Sequence, residues 1–146
     1  MAMTFLVEFF NGCILVKMNT IPKIMMVDDD LDLLSIISIK LQAEGFDIKT
    51  VSDPGVALGV ARQYAPDLIL LDMNMPGMNG AEYLFELREF PEMKKVKVIF
   101  FTSMGNPWPV FKDPSAIARE LGAVDFLEKS TDLSEVVRKI KETLAK

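Results

Sequence analysis

Histidine is missing from this chain altogether. Its absence removes His-ligated zinc, Ser-His and Cys-His catalysis, and any role as a histidine phosphodonor. Cysteine occurs once, at Cys13, so no intramolecular disulfide can form, which fits a reducing compartment such as the cytoplasm. Basic residues are outnumbered, with 16 Lys and Arg against 21 Asp and Glu, a net charge of −5 and a pI near 4.8. That balance argues against a nonspecific binder of nucleic-acid backbones, and no basic helix or arm stands out. A long uninterrupted apolar run is also lacking. Met1 to Lys17 is largely apolar, but Glu8, Asn11 and Gly12 break it too early for a membrane span. It has neither a cationic n-region nor a small-residue cleavage pattern, so it is a poor signal peptide.

Half of the 146 residues are hydrophobic, a quarter are charged, and mean hydropathy is +0.25. These values fit one globular domain with a real core, and the chain shows no repeat and no low-complexity tract. Residues 1–19 read as an extension to that domain. Two β-prone runs, Thr4 to Phe10 and Cys13 to Lys17, flank Asn11-Gly12, the preferred pair for a tight hairpin turn. The other reading is a non-native start, with Met18 beginning the domain. If the hairpin forms, its apolar faces need cover from the domain or from another copy, which makes a homodimer an expectation.

From residue 20 to residue 146, strands and helices alternate. Apolar runs predict strands at Ile24–Val27, Phe46–Val51, Leu68–Leu71, Val96–Phe101 and Val124–Leu127. The first helix runs from Leu31 to Glu44, with Asp30 as N-cap and Gly45 as stop. Asp53-Pro54 and Asp113-Pro114 each start a helix with a cap and a proline in the first turn. Ala81 to Phe90 is a further helix, and Asp132-Leu133-Ser134-Glu135 is a capping box for the last one, which ends near Leu144. Five βα units predict an α/β fold: a five-stranded parallel sheet of order 2-1-3-4-5, flanked by five helices in a flavodoxin-like three-layer sandwich.

In that order the switch point lies between strands 1 and 3, where such folds bind ligands. Strand 1 ends on Asp28-Asp29, and strand 3, Leu68-Ile69-Leu70-Leu71, ends abruptly on Asp72. Three carboxylates in one place repel one another and require a cation. Magnesium suits an all-oxygen site that keeps several waters. Asp29 and Asp72 are expected as ligands, with the backbone carbonyl of Asn74 as a third and Asp28 acting through a water. A carboxylate beside such a cation can attack a phosphoryl donor and become an aspartyl phosphate. Strand 4 stops at Thr102-Ser103 and strand 5 at Lys129, which adds a hydroxyl and an ammonium to the same edge. Nucleophile, metal ligands, hydroxyl and cation are the inventory of phosphoryl transfer.

These residues together resemble a response-regulator receiver domain of two-component signalling, similar to the chemotaxis regulators, over Ile21 to Lys146. The resemblance rests on the acidic pair after strand 1, the run Asp72-Met73-Asn74-Met75-Pro76-Gly77-Met78-Asn79-Gly80, Thr102-Ser103 after strand 4 and Lys129 after strand 5. It implies a magnesium-dependent phosphoprotein with Asp72 as phosphoacceptor and Asp28 and Asp29 serving the ion. Thr102 would bind a phosphoryl oxygen, Lys129 would pair with the phosphoryl group, and Phe126 would hold the switch-aromatic position, packing inward because it lacks a hydroxyl. The implied partners are a histidine kinase or histidine phosphotransfer protein upstream and an effector protein downstream. The only chemistry implied is the domain's own phosphorylation and dephosphorylation, so the chain is not expected to be an enzyme acting on an external substrate.

Three departures from the family pattern stand out. Lys129-Ser130 replaces the usual Lys-Pro. The segment 104–113 is long and carries Pro107, Trp108 and Pro109, which should delay the fourth helix. Nothing follows the fifth helix, so a single-domain regulator without an output domain is expected. On the first helix Leu34, Ile37 and Leu41 form a core stripe, while Ile36 and Ile39 fall beside it, either as flanking core or as a docking surface for the phosphodonor. A haloacid-dehalogenase-type phosphatase is the enzymatic alternative, but it wants a second Asp two residues after the nucleophile, where this chain has Asn74. A receiver fold that binds partners without phosphorylation is the third reading, and the intact set Asp28, Asp29, Asp72, Thr102 and Lys129 argues against it.

Overall fold

In the computed structural model, the backbone is described for residues 3–10, 13–103 and 113–146, and side chains for residues 20–103 and 113–146. The segment holding Pro107, Trp108 and Pro109 and the Asn11-Gly12 turn lie outside the described residues. Strands β1 (Met3–Phe10) and β2 (Cys13–Thr20) pair antiparallel as a separate two-stranded sheet. Both run longer than the sequence indicates, and Met18 lies within β2.

The main sheet contains β3 (Lys23–Val27), β4 (Asp47–Val51), β5 (Leu68–Leu71), β8 (Lys97–Thr102) and β9 (Asp125–Glu128). They lie in the order β4-β3-β5-β8-β9, all parallel. Counted from Lys23 that is 2-1-3-4-5, the order expected of five βα units.

Alternation along each strand explains why the runs are apolar throughout. Met25, Val27, Ile69, Leu71, Val98 and Phe100 face one side; Ile24, Met26, Leu68, Leu70, Ile99 and Phe101 face the other. The first side is covered by α2 (Pro54–Tyr64), α3 (Gly80–Arg88) and α4 (Pro114–Glu120), the second by α1 (Leu31–Ala43) and α5 (Leu133–Ala145). A central strand buried on both faces has no position for a polar side chain until it leaves the sheet.

The helices start where their caps dictate. Asp30, Asp53 and Asp113 each accept hydrogen bonds from first-turn N–H groups, and Pro54 and Pro114 sit where a missing N–H costs nothing. Helix α1 ends at Ala43, and Gly45 just beyond its cap turns the chain away at a φ of +91° that suits glycine. Its stripe of Leu34, Ile37 and Leu41 is buried as the spacing indicates, whereas Ile36 (52%) and Ile39 (70%) are exposed and lie outside the core.

Three local expectations are corrected. Helix α3 stops at Arg88 rather than Phe90, because Phe90 precedes Pro91 and is held extended at φ −91°, ψ 123°; a 3-10 turn, Pro91–Met93, follows. The box at the start of α5 is half made. Asp132 accepts from the Ser134 N–H, but Glu135 pairs with Arg138 instead of reaching back. The loop after Asp72 is itself a small hairpin, β6 (Asn74–Met75) with β7 (Met78–Asn79), closed by Pro76-Gly77 with Gly77 at φ +82°.

On the edge strand, Asp125 is ion-paired with Lys139 of α5 and accepts from the Phe126 N–H. Burial pushes its carboxyl upward, but Lys139 and the N–H outweigh this and hold it below the ordinary carboxylate value. A depressed folded-state pKa contributes stability above the unfolded value near 3.9 that is lost as pH falls through the folded value. Asp125→Asn is therefore expected to cost about 1 kcal/mol at pH 7. In urea melts that difference should shrink towards zero below pH 3; a cost independent of pH would refute the assignment.

Candidate functional site

The carboxyl edge of the sheet is where β3, β5, β8 and β9 release their first polar groups. Asp28 and Asp72 do not dangle from loops: the Asp28 N–H donates to the Val51 carbonyl at 3.1 Å, and the Asp72 N–H to the Val27 carbonyl at 3.0 Å. Each carboxylate therefore projects from a backbone position still locked into the ladder, and both side chains are buried. Asp29, the next residue on, is exposed. One carboxylate oxygen from each of Asp28, Asp29 and Asp72 lies within 4.8 Å of the others.

Lys129, immediately after β9, crosses to this cluster. Its Nζ lies 2.6 Å from Asp28 Oδ2 and 3.3 Å from Asp72 Oδ2, on a side chain only 15% exposed. Ser130 in place of proline thus leaves Lys129 aimed at the acidic pair. The backbone of the same residue ties two strand ends together, since the Lys129 N–H donates to the Thr102 carbonyl at 2.8 Å. Thr102 is the last residue of β8 and fully buried. Phe126 is half-buried and packs against the core under α2, α3 and α4.

Local turns hold the carboxylates in place. Asp28 Oδ1 accepts from the Asp30 N–H at 2.9 Å, and Asp72 Oδ1 from the Asn74 N–H at 3.2 Å, each a side chain closing a turn on the backbone two residues on. Asp28 Oδ2 is buried and accepts no aligned hydrogen bond; its contact with Lys129 is ionic. Burial, followed by the charge of Asp28, raises the Asp72 pKa above the ordinary carboxylate value, against the Asn74 N–H and Lys129. Burial alone would lower the Lys129 pKa, but Asp28 and Asp72 outweigh it and the net shift is upward. One ammonium against three carboxylates leaves the site short of positive charge, and an all-oxygen donor set of this kind fits a hard divalent cation.

A feature not weighed in the sequence is Gly80. It opens α3, and its N–H donates to the Met73 carbonyl at 2.9 Å. A Cβ at Gly80 would stand 2.7 Å from the Asp72 carbonyl oxygen and 3.1 Å from Met73 Cα. The glycine is there because the backbone that carries Asp72 passes directly over it. The β6–β7 hairpin brings the chain back to make this contact, so Pro76, Gly77 and Gly80 work as one device.

The family model for the response regulator receiver domain matches residues 24–141. DNA-binding response regulator MtrA of Mycobacterium tuberculosis is 33% identical over 122 residues, 84% of this chain and 50% of the relative. Transcriptional regulatory protein PrrA of the same organism is 34% identical over 125 residues, 86% of this chain and 51% of the relative. The chain therefore spans about half the length of the curated relatives it matches. Among solved structures, chemotaxis response regulator CheY4 of Vibrio cholerae superposes with a TM-score of 0.75 at 25% identity, covering 85% of this chain and 99% of that one. A CheY-like receiver domain protein from Methanospirillum hungatei gives 0.75 at 25%, covering 86% and 95%.

Two outcomes follow from the geometry. Gly80→Ala is expected to cost about 1–3 kcal/mol by forcing the Asp72 backbone aside. Gly59→Ala, in open space within α2, should be neutral or stabilising by up to about 1 kcal/mol. Thermal melts of the two variants decide this, and equal effects would refute the close approach. Lys129→Ala removes the ammonium that offsets Asp28 and Asp72, so the variant should fold and bind Mg2+ at least as tightly as the parent. Calorimetric titration showing more than a tenfold loss of Mg2+ affinity would overturn that reading.

Proposed function

The chain belongs to the response regulator receiver domain family, and from that premise we propose that it is a phosphorylation switch of a two-component phosphorelay whose phosphoacceptor is Asp72. The observation that carries the proposal is the convergence of Asp28, Asp29, Asp72, Thr102 and Lys129 at one sheet edge, with Lys129 already seated on the acidic pair. The phosphodonor is a histidine kinase or histidine phosphotransfer protein. An Asp72 carboxylate oxygen attacks phosphorus, a P–O bond forms as the donor's P–N bond breaks, and the imidazole leaves. A bound Mg2+ would neutralise charge on the cluster and on the transferred group. The residues that would hold it are Asp29, Asp72 and the Asn74 carbonyl, with Asp28 behind a water.

Lys129 and Thr102 then have work to do after transfer. The Lys129 ammonium exchanges its contact with Asp72 for the new phosphoryl oxygens, and the Thr102 hydroxyl donates to another. Because the Lys129 N–H is bonded to the Thr102 carbonyl, the two movements are mechanically joined. Phe126, on β9 opposite Phe100 and three residues before Lys129, responds by packing, which alters the surface offered to an effector protein. The reaction is self-modification rather than turnover of an external substrate. No helix among the described residues is long and apolar enough to cross a membrane, and the proposed setting is the cytoplasm. The receiver unit is taken to occupy residues 20–146, with residues 1–19 as an extension.

The test is phosphorylation by acetyl phosphate. The parent should gain one hydroxylamine-labile phosphate in Mg2+ and none in EDTA, and Asp72→Asn should gain none. Labile phosphate on Asp72→Asn, or full labelling in EDTA, would remove Asp72 or the metal from the proposal.

A further inference from the structure

Helix α3 buries one side against the core and carries an unanswered set of groups on the other. Tyr83, Leu84 and Leu87 are fully buried, whereas Phe85 projects outward with 72% of its surface exposed. Among the described residues it is the most exposed of the large apolar side chains. Residues three and four apart share a helix face, which places Glu82 and Glu89 beside Phe85, and Glu86 beside both glutamates. All three glutamates are exposed, and like charges at these spacings repel one another. Among the described residues none of the three is ion-paired. Arg88, the cation of the same helix, is engaged elsewhere: its guanidinium donates to the Met93 and Gly122 carbonyls at 2.6 and 3.1 Å.

Other parts of the surface answer such groups from within the chain. Glu44 meets Lys40 and Lys141, and Glu135 and Glu142 meet Arg138. Near the end of α2 the match is fuller. Arg62 pairs with Glu92 at 2.8 Å while its guanidinium lies over the Phe90 ring, 4.0 Å from the centroid. One arginine there satisfies a carboxylate and covers an aromatic face at the same time. Phe85 with Glu82 and Glu89 offers the same two kinds of acceptor, and no described residue supplies the arginine.

We propose that the Phe85 face of α3 is a docking surface for an arginine-bearing segment of a partner protein. Two physically independent features select that chemistry. The carboxylates attract any cation, and the exposed ring adds a preference for a planar, weakly hydrated guanidinium. A purely apolar partner would bury three carboxylates without pairing them, and a small hydrated cation would gain little from the ring. Helices α2, α3 and α4 cover the opposite side of the sheet from α1 and α5, so this surface is separate from the apolar flank at Ile36 and Ile39. It is also independent of the assignment of Asp72.

Fluorescence anisotropy with a labelled alanine–arginine peptide tests the proposal on the full chain. The parent should bind with a Kd of about 100 μM at low salt, and more weakly as salt screens the ion pairs. Phe85→Ala should weaken binding about fivefold, by loss of the ring. The pair Glu82→Gln and Glu89→Gln should weaken it about tenfold. A peptide with lysine in place of arginine should bind about threefold more weakly, and one with glutamine should not bind. Glu142→Gln, which removes an acid from α5, should match the parent. Every variant should keep the parent's melting transition by circular dichroism, so lost binding is not lost fold. In an NMR titration the amide shifts should centre on residues 81–89. A parent that does not bind, or binding untouched by Phe85→Ala, would overturn the proposal. An equal loss in Glu142→Gln would reduce the effect to the chain's net charge of −5. Shifts centred on Asp28, Asp29 and Asp72 would seat the peptide at that cluster, and either result refutes the α3 surface.

Discussion

Asp28 and Asp72 are buried side by side, and the condition that lets the sheet edge hold both is a single ammonium. Two carboxylates taken out of water next to each other are costly, and each of their backbones is fixed by a ladder hydrogen bond, so neither can retreat. Lys129 relieves the strain from across the sheet, at 2.6 and 3.3 Å. The charge count remains negative, so the field at this edge attracts positive charge. The cluster is an unfavourable arrangement that the rest of the fold is strong enough to impose.

That strength comes from the double-faced core. With β3 and β5 buried on both sides, the positions of Asp28 and Asp72 are set by packing on two independent clusters, one under α1 and α5 and one under α2, α3 and α4. A rigid scaffold below and short turns above give the carboxylates small freedom of their own. The same logic explains Gly80, where the absence of a side chain allows α3 to press against the strand exit from the outer side.

Much of this was legible in the residues. Leu68-Ile69-Leu70-Leu71 ending on Asp72 signals a buried strand and the sheet edge in one stroke, and the paired Asp-Pro signals mark helix starts because cap and proline act locally. What escaped were features decided by competition between neighbours. Phe90 continues an apolar pattern, yet Pro91 governs its backbone. Glu135 suits a capping box, yet Arg138 three residues on offers a full charge where the N-cap offers only an amide. The β6–β7 hairpin is too short for periodicity to reveal, and the crowding at Gly80 is a tertiary fact that no local pattern carries. The exposure of Ile36 and Ile39 is likewise tertiary: the side of α1 that packs on the core is the one carrying Leu34, Ile37 and Leu41.

A parallel sheet has a polarity, and here it separates two jobs. The hairpin joins β3 at its amino end, through Thr20 to Lys23, whereas the acidic cluster stands at its carboxyl end, five residues along. At about 3.3 Å per residue, roughly 16 Å of packed strand separates the two ends of β3. Changes at the amino ends of the strands can therefore be inherited without touching the carboxylates, because Asp28, Asp29 and Asp72 all lie beyond the carboxyl ends.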